Sequence, residues 1–233
     1  MKVSVFYEHV CQASRQTGKT EKELLEELYH AGVRGLEIRL LDLMEDTGLY
    51  ARIREAGFQI SCIYEFYEME KEEAEKFHNL AYQEGEAPLK TWMEENPKIA
   101  GMRRGLSRMT GWGKEKGVEV TIEDFDDYTS PLSRNRGIRW FLENVPDLGF
   151  TFDMGNFAFM QEDIWQAWEL LADRIRHIHC KDRCRGLEPA PNILPLTELL
   201  QPEKNTTMWS CQSVPCGKII FRPIRRLWTQ VLL

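Results

Sequence analysis

The chain has 233 residues, 42% of them hydrophobic and 29% charged, and a net charge of −7. That apolar share is enough to bury a sizeable core and excludes a largely disordered chain. A mean hydropathy of −0.45, with no run near the ~20 apolar residues of a span, argues against a membrane protein. The acidic balance argues against nucleic acid, because phosphate binding needs a basic face. The opening residues turn polar too early for a secretory signal, so a cytoplasmic protein is expected. The charge is uneven. Lys218, Arg222, Arg225 and Arg226 give residues 218–233 a balance of +4 with no acid, leaving −11 for residues 1–217.

In chain order, Val3–Tyr7 reads as a first strand. Thr20 with Glu23 forms a capping box ahead of Leu24, Leu25, Leu28 and Ala31, and Gly32 stands where a helix-ending glycine belongs. Leu36–Leu40 and Phe58–Tyr64 read as strands around a short helix over Tyr50–Ala56. A charged helix is expected over Glu70–Glu84. Val118–Ile122, Phe150–Asp153 and Ile175–Cys180 read as strands, with helices over Gly137–Asn144 and Ile164–Ala172. This alternation indicates βαβ units and a parallel sheet.

Two stretches break the rhythm. The gap between the strands at 58 and 118 is double the others, so a strand is expected within 85–117, although no apolar run marks it. Beyond 183, Pro189, Pro191, Pro195 and Pro202 mark a loop-rich stretch. The segment Ile219–Leu233 reads as an amphipathic helix interrupted by Pro223, and the last strand that an eight-stranded barrel needs is not evident.

Polar clusters end three successive strands. Ile122 runs into Glu123, Asp124, Phe125, Asp126 and Asp127; Phe152 into Asp153, Met154, Gly155 and Asn156; Ile178 into His179, Cys180, Lys181 and Asp182. Ligand sites of parallel α/β folds lie at the carboxyl ends of the strands. Two carboxylates and an imidazole suit a divalent Mn, Mg, Co or Zn ion acting as a Lewis acid. A carboxylate after a strand is also a common helix cap, and His177 or His179 also reads as an ordinary half-buried histidine. Six cysteines in a chain this long need no disulfide framework, and Cys180-x3-Cys184 with Cys211-x4-Cys216 lacks the tight spacing of a zinc knuckle.

The phrases Val120–Asp124, Thr151–Phe157 and His177–Asp182, with Ala31–Arg39 as a second strand, resemble the xylose-isomerase-like TIM-barrel superfamily of sugar phosphate isomerases and epimerases. The resemblance implies an α/β fold, a (β/α)8 barrel in one domain over 1–233. The barrel is incomplete or divergent at strand 4 and at the C-terminal strand 8, with 184–233 irregular. It implies Glu123, Asp153 and His179 as metal ligands, with Glu123 also moving a proton. Lys181 and Asn156 would meet the sugar or sugar phosphate, with His9 and Glu37 as weaker candidates; Asn156 also reads as a turn residue, and Glu37 as a partner of Arg39 or Arg34. Asp124, Asp126 and Asp127 read as caps of the following segment. The implied chemistry is proton transfer next to a carbonyl through an enediolate.

The family takes a fourth ligand, a Glu, from its eighth strand. Here the sixteen residues after Gly217 contain neither Glu nor Asp, which suggests a shortened or altered end and leaves catalytic competence open. A sugar-binding or impaired barrel is therefore the alternative. An apurinic-site endonuclease would need more than the five histidines present. A barrel without its closing strand would expose edges and favour a homo-dimer.

Overall fold

A computed structural model of the chain describes residues 2–66, 86–126, 130–180 and 228–231. In chain order the elements are β1 (Lys2–Phe6), α1 (Tyr7–Thr17), α2 (Glu21–His30), β2 (Gly35–Arg39), α3 (Leu40–Glu45), α4 (Leu49–Glu55) and β3 (Gln59–Tyr64). There follow α5 (Glu86–Glu95), α6 (Pro97–Lys116), β4 (Thr121–Glu123), α7 (Asn135–Asn144), β5 (Gly149–Asp153), α8 (Met154–Phe159), α9 (Ile164–Leu171), β6 (Ile175–Cys180) and β7 (Trp228–Val231). They fall into two compact units, one of Met1–Tyr67 with His179–Leu233 and the other of Glu68–Ile178. The boundary cuts β6 after Ile178.

In the first unit the strand order is β3-β2-β1-β7. All three pairings are parallel, with Phe6 opposite Glu37 and Lys2 opposite Trp228. Parallel strands covered on both faces read as continuous apolar runs, and Val3, Val5, Leu36 and Ile38 are buried. The polar exceptions are Ser4 and Glu37, both fully buried. The capping box forms as expected: the Glu23 N–H donates to the Thr20 hydroxyl at 3.3 Å, and the Thr20 N–H donates to the Glu23 carboxylate at 2.8 Å. Gly32 takes φ +95° just past the helix end, a conformation open to glycine.

The second unit is built on β5, every residue of which is buried. Phe152 packs edge-on against Phe150 and Trp168 and tilted against Phe157, with ring centroids 5.0–6.0 Å apart. Edge-to-face arrangements suit the ring quadrupoles. β5 pairs in parallel with β4, and a 2.8 Å hydrogen bond joins the Thr121 and Thr151 hydroxyls across them. The Arg174 guanidinium gathers the carbonyls of Leu142, Val145, Pro146 and Leu148 below the end of α7.

Three sequence expectations need correction. The strand expected within 85–117 is replaced, over 86–116, by α5 and α6. Asn96 caps α6 through Lys98 and Ile99, Pro97 sits at its first turn, and Leu89, Trp92 and Met93 of α5 are buried together with Ile99 of α6. Gly105 and Gly111 lie in open space, where their propensity cost is bearable once packing pays for the helix. The strand expected from Val118 begins at Thr121, because Gly117 ends α6 in the left-handed region and leaves Val118 exposed. The tail is a strand rather than a helix over Trp228–Val231, which lies along β1. Helix α1 had no counterpart in the sequence reading. The helix expected over 70–84 and the proline-rich stretch lie outside the described residues.

Candidate active site

In the second unit, β4 and β5 end side by side and their acidic ends meet. Asp153 closes β5 and caps α8, its Oδ1 accepting from the Gly155 and Asn156 N–H groups at 2.8 and 3.1 Å. Asp124 follows β4, and its Oδ1 accepts from the Asp153 N–H at 2.7 Å. The Asn156 side-chain amide donates to the Asp124 carbonyl at 2.7 Å. Carboxylate oxygens of Glu123 and Asp153 lie within 4.8 Å of one another. Asp153, Asp124 and Asn156 are buried, while Glu123 is partly open.

Asp124 is 1% exposed, and its Oδ2 has no hydrogen-bond partner among the described residues. Burial first, and then the negative charge of Asp153, raise its pKa well above the ordinary carboxyl value. Asp124 ties β4 to the turn after β5 through the Asp153 N–H. Nothing in a run of acids says which one faces inward.

In the first unit, Glu37 projects from β2 into the interior. Its Oε1 accepts from the Ser4 hydroxyl at 2.7 Å, and its Oε2 lies 3.1 Å from His179 Nε2. His179 is buried, and the Phe6 ring meets it edge-on at 5.2 Å. Phe6 also meets His9, on the first turn of α1, at 5.3 Å. Arg39 is occupied by Glu65 at 2.9 Å and Arg34 by the carbonyls of Tyr29 and Val33. Glu37 thus pairs with neither arginine. Ser4 and Phe6 escaped the sequence reading. His177 is buried in the second unit. Lys181, Asp127, Cys184, Cys211 and Cys216 lie outside the described residues. Cys11, Cys62 and Cys180 are in no disulfide among the described residues.

Parallel strands alternating with helices, with acids gathered where strands end, make an α/β fold of the TIM-barrel kind, partial or divergent relative to eight strands. Comparison with known proteins agrees. The structure is similar to the D-allulose 3-epimerase from Methylomonas sp., with a TM-score of 0.58 and 12% identity over 100% of this chain and 85% of that one. It is similar to a sugar phosphate isomerase/epimerase from Parabacteroides distasonis, with a TM-score of 0.52 and 16% identity over 78% of each chain. In sequence, 95 residues are 30% identical to inosose dehydratase from Mesomycoplasma hyopneumoniae, covering 37% of this chain and 29% of that protein. The chain thus matches less than a third of the length of its curated relatives. No protein-family model matches. No helix among the described residues is long and apolar enough to cross a membrane.

Proposed function

We propose that the chain is a divalent-metal-dependent enzyme that moves a proton at a carbon next to the carbonyl of a sugar or sugar phosphate, as an isomerase or epimerase. The observation that carries this reading is the buried acidic junction at the ends of β4 and β5. There, carboxylates of Glu123 and Asp153 approach within 4.8 Å, and Asp124 is pushed toward its neutral form. Concentrated negative charge away from water is costly and is relieved by a cation.

Glu123, Asp153 and His179 are the proposed ligands, and two oxygens with one nitrogen fit Mn, Mg, Co or Zn. The bound ion supplies Lewis-acid polarisation of the sugar's carbonyl and hydroxyl oxygens. Asp153 is held for this by the Asp124 carboxylate on its N–H. Glu123, the more open of the two acids, takes the proton from the carbon beside the carbonyl. Returning it to the neighbouring carbon gives the isomer; the epimer forms when a second acid delivers a proton from the opposite face. Lys181 and His9 are proposed to meet the sugar's oxygens or phosphate. The inosose dehydratase match favours a second reading that shares the first step. There the enediolate expels a β-hydroxyl as water in place of recapturing the proton.

Metal titration followed by melting temperature tests the ligand set, since a ligand that binds only the folded chain stabilises it by mass action. Mn²⁺ or Co²⁺ at 100 times its Kd should stabilise the native chain by about 2.7 kcal/mol, and should shift neither Glu123→Gln nor His179→Ala. No shift in the native chain would overturn the reading. Deuterium uptake from D2O at the sugar carbon beside the carbonyl, followed by NMR over a ketose panel, then reports the shared proton transfer. A metal shift without uptake would mark a sugar-binding barrel.

A further inference from the structure

We infer that Glu37 is the positioning residue of His179: its buried carboxylate holds the imidazole by Nε2–H and assigns Nδ1 as the ligating atom. This role rests on the reading of His179 as a metal ligand. An ionised carboxylate can only accept hydrogen bonds, so the 3.1 Å approach of Glu37 Oε2 to Nε2 places the ring proton on Nε2. The Ser4 hydroxyl, donating to the other oxygen at 2.7 Å, fixes the plane of the carboxylate. The Phe6 ring, 5.2 Å from the imidazole and inclined at 68°, holds the ring from its side.

The strand register accounts for the grouping. Phe6 lies opposite Glu37 in the β1–β2 pairing, and Ser4 is two residues back on the same face of β1. A carboxylate with no solvent exposure carries a desolvation cost that a purely apolar strand would avoid. A ligating histidine must offer a lone pair on one nitrogen, and the partner on the other nitrogen decides which. Glu37 is accordingly a positioning residue and not a substrate contact.

The first readout needs no metal. Long-range 1H–15N NMR of the ring nitrogens in the metal-free chain should show a proton on His179 Nε2. Glu37→Gln, whose amide oxygen can still accept from Nε2–H, should keep that tautomer. Glu37→Ala should give a mixture. The second readout is Co²⁺ titration followed by visible absorption. Glu37→Ala should bind about 10–100-fold more weakly, with Glu37→Gln restoring most of the loss. A wild-type ring protonated on Nδ1 would overturn the inference even if Glu37→Ala does not fold. Equal Co²⁺ affinity in wild type and Glu37→Ala would overturn the role of Glu37 alone, leaving His179 as a ligand. Failure of the wild-type chain to bind Co²⁺ would overturn the metal reading and this role with it.

Discussion

Asp124 and Asp153 share a hydrogen bond through one backbone N–H, yet they do different work because their surroundings differ. Asp153 spends an oxygen on two N–H groups of α8, which favours its charged form. Asp124 is buried beside that charge, and its pKa is raised in consequence. A carboxyl raised on folding holds a proton that the unfolded chain has already lost. Stability is therefore full below the ordinary value of 3.8 and falls as pH rises from there toward the folded pKa. The metal-free wild type should lose melting temperature as pH rises above 3.8, and Asp124→Asn should lose less, since it has no carboxyl to titrate and its amide oxygen can still accept from the Asp153 N–H. Calorimetry across that range checks it, and parallel slopes would place the proton elsewhere.

Glu123, Asp153 and His179 were legible one by one, as polar residues at the ends of apolar runs. The Glu37–His179 contact was not, because 142 residues separate the pair and only the fold brings them together. Glu37 even had two arginine neighbours in sequence that offered a plausible but wrong partner.

Local signals decided some elements and misled on others. The Thr20 capping box was legible because all its parts lie within four residues. The helices over 86–116 were not, because four glycines dilute α6 and the packing that outweighs their cost is tertiary. Gly137, inside α7, shows how context reverses propensity. Alanine is ordinarily the better helix former by roughly 1 kcal/mol. Here a Cβ would run into the Pro131 carbonyl, a backbone atom that cannot rotate away. Gly137→Ala should therefore destabilise the chain by about 1–3 kcal/mol, the usual cost of overpacking, as read from urea unfolding. A rise in stability would show that the 131–134 turn yields easily.

The first unit is assembled from both ends of the numbering, and that is why its last strand was hidden. Trp228-Thr229-Gln230-Val231 is too short to show a period, and the arginines before it suggested a helix. Its strand character comes from β1, which offers a row of backbone groups to whatever lies alongside. Lys2, Val3 and Ser4 pair with Trp228, Thr229 and Gln230, on the same short strand that carries the hydroxyl holding Glu37. A chain ending at residue 227 should leave that edge of β1 bare. It should melt at lower temperature and self-associate on heating, with faster amide exchange along β1 than in the full chain. The β4–β5 pairing lies in the other unit, so its amides should exchange as before when the truncation is studied under folded conditions. Unchanged exchange at Val3 and Ser4 would mean that the pairing with residues 228–231 contributes nothing to stability. Loss of protection confined to β1 and its neighbour β2 would locate the contribution of β7 on the strand that supports Glu37.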